Sequence, residues 1–90
     1  MKLFEAVDVW RQGSMGSLVQ YRCFRVWPSG GYCVQSADYY YVDKDNSHQF
    51  EKQFIELLSE QAPDERSEVF DTLEEAVINF DLEFREMIDE

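Results

Sequence analysis

The pattern of apolar and polar positions changes period near the middle of the chain. Residues 3–10 (Leu3-Phe4-Glu5-Ala6-Val7-Asp8-Val9-Trp10) form a short apolar run with acids interspersed, and Arg11 to Gly16 carries two glycines and reads as a loop. Residues 17–27 and 32–42 are rich in β-branched and aromatic types (Val19, Tyr21, Phe24, Val26, Trp27; Tyr32, Val34, Tyr39, Tyr40, Tyr41, Val42), which predicts two further strands. Trp27-Pro28-Ser29-Gly30-Gly31 between them predicts a hairpin with a three-residue loop, Pro at the second position of a type I turn and a glycine in the left-handed position. That register pairs Trp27 with Gly31. It sets Cys23 opposite Gln35 and Cys33 opposite Arg25.

Beyond residue 44 the period becomes helical. Asp45-Asn46-Ser47 opens a first helix, with Asn46 and Gln49 spaced as a capping box. Phe50, Phe54, Leu57, Leu58 and Gln61 follow, and Pro63 closes the segment. Residues 62–67 read as a polar linker, and Glu68-Val69-Phe70 as a short edge strand. Asp71 or Thr72 caps a second helix, in which Leu73, Ala76, Val77, Phe80, Phe84, Met87 and Ile88 fall within an arc of about 120°. One apolar face per helix and one sheet face to cover predict an α+β fold. The expected architecture is a three-stranded antiparallel meander, extended by a short fourth edge strand, with two C-terminal helices packed on one face. Residues 1–90 make a single domain.

Composition separates the two halves further. The chain carries a formal net charge of −11 but is 44% hydrophobic, enough apolar material to fold despite that charge. Residues 1–42 hold four cations and three acids, net +1, whereas residues 43–90 hold four cations and sixteen acids, net −12. Asp71, Glu74 and Glu75 suit the positive end of a helix dipole. Glu60, Glu86, Asp89 and Glu90 crowd the negative ends, at a cost of a few tenths to ~1 kcal/mol each. Ile78 and Leu82 lie roughly 140° and 180° from the centre of the apolar stripe, one above the other and among Glu75, Glu86 and Asp89. They predict an apolar ridge in an acidic field, the candidate partner-binding face. Tyr39-Tyr40-Tyr41 alternates faces, so Tyr40 is a further candidate contact residue.

The sequence carries few groups suited to catalysis or metal binding. His48 stands alone, without partners at the spacing of a metal site or a nucleophile–base pair. The segment from Asp43 departs from a calcium loop at His48, where glycine is needed, and at Phe54, where glutamate is needed. No glycine-rich phosphate loop is present. The reading therefore implies no enzyme activity, no metal and no cofactor. Diagonal rather than opposed positions predict Cys23 and Cys33 as reduced thiols, which with the acids in the N-terminal segment and the absence of a 20-residue apolar stretch suits a cytoplasmic protein without a signal peptide.

Three functional expectations follow. The first is a small non-enzymatic acidic interaction module, an inhibitor or nucleic-acid-mimicking antagonist of a basic partner such as a nuclease or another nucleic-acid-binding protein. In size and charge alone the chain resembles small acidic inhibitors, immunity proteins and phage antagonists of host defence. The second is a structural or adaptor domain that self-associates as a homodimer, through a sheet edge or the Ile78/Leu82 ridge. The third is a single-stranded RNA-binding sheet using Tyr21, Arg22, Phe24 and Arg25, which the charge of −12 opposes.

Overall fold

The computed structural model describes residues 2–13, 16–41 and 47–84. Strands β1 (Leu3–Gln12), β2 (Leu18–Trp27) and β3 (Tyr32–Tyr40) form an antiparallel sheet in the order β1-β2-β3. Helices α1 (Ser47–Glu60), α2 (Pro63–Arg66) and α3 (Leu73–Phe84) follow. The α+β class and the three-stranded meander are as the pattern predicts. The fourth strand is reduced to a single bridge: Tyr32 and Phe70 exchange backbone hydrogen bonds of 2.8 and 2.7 Å. The linker at 62–67 contains an additional helical turn, α2, which Pro63 opens from its N1 position, where its missing N–H costs nothing. Asn46, the expected cap of α1, lies outside the described residues.

The helices do not share a face. Val19, Tyr21 and Cys23 of β2 point to the side covered by Leu73, Ala76, Val77 and Phe80 of α3. Phe24 and Val26 point to the other side, where Phe54 and Leu58 of α1 close over them. Phe24 and Phe54 stack at 5.7 Å, and Tyr21 meets Phe80 edge-on at 6.0 Å. A central strand covered on both sides is buried at nearly every position, and β2 is buried at seven of its ten. The one-sided expectation fails because Gln20 and Arg22, polar and alternating with the Val19/Tyr21/Cys23 face, read as a solvent face. Both are buried, Arg22 against Glu51 and Phe54 of α1 and Gln20 against Tyr40 of β3.

The hairpin register is correct in part. Leu18 to Arg22 pair with Tyr40 to Ser36 in the expected alignment. A β-bulge at Gln35 then shifts the pairing by one, so Cys23 faces Val34 and Phe24 faces Cys33. The loop lengthens to match: Val26 accepts from Gly30 N at 2.6 Å and donates to Gly31 O at 2.8 Å, leaving residues 27–30 in the turn. Gly30 has the expected left-handed backbone, φ 85°. Cys23 and Cys33 are both free and buried, and they belong to opposite core clusters. Burial pushes the Cys23 thiol up to about 12 and the Cys33 thiol up to about 11.

Candidate interaction face

The face begins at the cap of α3. Thr72 Oγ1 accepts a hydrogen bond from the Glu75 backbone N–H at 3.1 Å and donates to the Glu75 carboxylate at 3.1 Å. Of the two caps the sequence offers, Asp71 and Thr72, it is Thr72 that caps α3, and it sets where the helix starts. From that start, the 3.6-residue period aims Leu73, Ala76, Val77 and Phe80 at the sheet. Glu75, Ile78 and Leu82, at i, i+3 and i+7, are aimed away from it.

A second anchor prevents α3 from rolling. Tyr21 OH, on β2, donates to Asp81 Oδ1 at 2.7 Å, and Arg11 Nη1, on β1, donates to both Tyr21 OH and Asp81 Oδ2 at 3.2 Å. Burial raises the Tyr21 phenol above its ordinary range, with Asp81 adding to the effect and Arg11 opposing it, so the donor proton is retained. The triad joins three elements through one carboxylate. Residues ten and seventy positions apart in sequence meet there, and no local signal marks them.

The outward surface of α3 is therefore held in one orientation. Ile78 is 51% exposed and Leu82 65%. Glu74, Glu75 and Glu83 are exposed around them, and α3 carries four carboxylates and no cation. The structure brings Glu75, Ile78 and Leu82 together as expected. Glu86 and Asp89 lie outside the described residues. Glu75 also has a structural duty at the cap that spacing alone does not show.

Tyr40 does not join this face. It sits across the sheet under α1, its ring against Phe50 at 5.1 Å and Trp10 at 5.5 Å, its hydroxyl donating to Gln20 Oε1 at 2.7 Å. The tyrosine of the triplet that projects to solvent is Tyr41, 52% exposed. Coverage of both sheet faces is the physical reason. The same coverage removes the stacking platform of the RNA-binding reading, since Tyr21, Arg22 and Phe24 are all buried.

Arg22 is the least expected of these burials. Its Nε donates to Asp38 Oδ2 at 2.9 Å, its Nη1 donates to Glu51 Oε1 at 2.8 Å, and its guanidinium lies 4.8 Å above the Phe54 ring. Desolvation lowers its affinity for the proton, but the hydrogen bonds and charges of Asp38 and Glu51 together outweigh that and raise it above the ordinary value. The cluster fastens α1 to the sheet as the Tyr21 triad fastens α3.

Other features offer less. A cleft of about 390 Å³ lies beside β3 and α3, lined by Val34, Arg66, Ser67, Phe70, Asn79 and Phe80 among others. Two of its polar groups are tied into the fold: Ser67 Oγ donates to Val34 O at 2.7 Å and Arg66 Nη2 to Leu57 O at 3.4 Å. Among the described residues no group of three His, Cys, Asp or Glu side chains is placed to hold a metal ion, and no helix is long and apolar enough to cross a membrane.

Fold and face together define a small α+β domain that presents an acidic helix with an apolar centre. No protein-family model, curated protein or solved structure was found to match the chain.

Proposed function

We propose that this protein is a non-enzymatic interaction module whose α3 face docks on a basic protein surface of the kind that binds nucleic acid. The observation that carries the reading is the exposed Ile78/Leu82 ridge, set among carboxylates on a helix anchored at its cap and at Asp81. The carboxylates would speed encounter with a basic surface and orient it. The ridge would add affinity and specificity that charge alone does not give, and retention would need both. Burying what the two side chains now expose is worth about 2–3 kcal/mol, or roughly 30–150-fold in Kd. A partner built to hold phosphates suits this face, because an array of carboxylates can occupy a phosphate cleft, and the module would then act as its inhibitor.

The test is a capture experiment on host extract at low and high salt. Three proteins serve as bait: wild type, Ile78→Ser/Leu82→Ser, and Glu74→Gln/Glu83→Gln. The reading predicts a basic protein retained by wild type at low salt, released at high salt, and lost from both variants although each remains folded. Equal recovery by wild type and the ridge variant would mean simple ion exchange and would overturn it. So would the absence of any salt-sensitive partner.

A further inference from the structure

We propose that a second copy of this chain pairs its β1 antiparallel to the outer edge of β1, joining two sheets into one six-stranded sheet about a twofold axis. The two edges of the sheet are treated differently. Beside β3, Phe70 adds a bridge, Ser67 occupies the carbonyl of Val34, and Gln35 bulges out of register. All three are devices that discourage further strand pairing. Strand β1 has none of them. It runs ten residues in unbroken register with β2, contains no proline, glycine or lysine, and has no strand beside its outer edge among the described residues. Leu3 and Trp10 stand exposed on it, at 53% and 52%. The helix backbones run closest to β3, at the other side of the sheet.

Charge selects the occupant. Residues 2–12 hold Lys2, Glu5, Asp8 and Arg11, net zero, while residues 43–90 hold −12. Two copies approaching by their helical halves repel. Approaching by β1, they keep those halves apart. An antiparallel edge is also self-complementary about a twofold axis, because each outward N–H meets an outward C=O of the second copy and the twofold returns the same bond. A twofold axis normal to the sheet keeps each face continuous, so paired residue numbers sum to an even value. One such register sets Val7 opposite Val9 of the second copy and Glu5 opposite its Arg11, each twice, with Asp8 facing Asp8 at the axis.

Sedimentation equilibrium from about 1 to about 500 µM, at about 50 and about 500 mM salt, tests this. The mass should double from 10.7 kDa, at lower concentration in high salt because the repulsion between two −11 chains is screened. Glu5→Arg should weaken the dimer about tenfold or more, by turning two unlike cross-strand pairs into like ones. Asp8→Asn should tighten it severalfold, and Leu82→Ser should leave it unchanged. A monomer throughout the range at high salt overturns the proposal. So does a dimer that Leu82→Ser dissolves and Glu5→Arg does not. The docking face on α3 stands or falls separately, since Leu82→Ser probes it alone.

Discussion

Replacing Asp38 with alanine should be among the most damaging single changes in this domain. Asp38 faces Arg22 at 2.9 Å, and the two side chains are 10% and 4% exposed. Removing one partner of a buried ion pair costs about 3–5 kcal/mol, because the other charge is left without its counter-ion in a poor solvent. Two features adjust that figure. Glu51 still accepts from Arg22 at 2.8 Å, but its side chain is 59% exposed and largely screened, so it offsets only part of the loss. Arg22 Nη2 is already buried without a hydrogen-bond partner, so the site has little slack. About 2–4 kcal/mol is the expected cost, a large share of a stability of roughly 5–10 kcal/mol for a chain of this length.

Urea unfolding, followed by the fluorescence of Trp10 and Trp27, measures the cost as a lowered midpoint at unchanged slope. The double variant Arg22→Met/Asp38→Leu is the decisive companion. Replacing both charges with apolar groups of similar size should bring stability back to within about 1 kcal/mol of wild type. The double variant should therefore be more stable than Asp38→Ala, with strong non-additivity between the sites. A cost below about 1 kcal/mol for Asp38→Ala, or additive single effects, would refute the claim that Arg22 is a buried cation held by Asp38.

Other outcomes follow from the same contacts. Cys23 and Cys33 should react with a thiol reagent at pH 8 about a thousandfold more slowly than an ordinary thiol in the case of Cys23, whose pKa is pushed up to about 12 from 9.0, and both should react fully on unfolding. Since both folded thiols titrate above their unfolded value, their contribution to stability is complete below pH 9 and is lost as pH rises through 11 to 12; the urea midpoint should fall across that window. Thr72→Ala should cost about 1 kcal/mol by stripping the cap from α3, and Thr72→Ser should restore most of it, as read from thermal melts by circular dichroism. Tyr21→Phe keeps the ring against Phe80 but removes the donor to Asp81, for an expected loss of about 1–2 kcal/mol in the same melts; a neutral result would mean that the triad does not anchor the helix.

Local patterns carried most of this fold into the sequence. The strands apart from the end of β1 (Arg11 and Gln12, which read as loop), the left-handed Gly30, a cap at Asp71 or Thr72 and the outward aim of Ile78 and Leu82 follow from periods of two and 3.6 and from turn chemistry. Three things were not legible. The side taken by α1 was hidden because Arg22 and Gln20 look like solvent residues until Asp38, Glu51 and Tyr40 are known to meet them. The bulge at Gln35 was hidden because an extra residue in one strand leaves the apolar alternation on either side readable. The anchoring of α3 depends on Arg11, Tyr21 and Asp81, which only tertiary structure brings together. Each miss is a long-range polar contact or register change, which short-range periodicity does not encode. The place of Tyr40 under α1 is hidden for the same reason.

The claim that matters most is that α3 presents its ridge to a basic partner. Equilibrium titration of the captured partner with wild type and with Ile78→Ser/Leu82→Ser tests it directly, provided that urea midpoints confirm both are equally folded. The account predicts an affinity roughly 30–150-fold weaker for the variant, from two apolar side chains left without a pocket. Affinities within twofold of each other would contradict it, and would move the binding surface off α3 altogether.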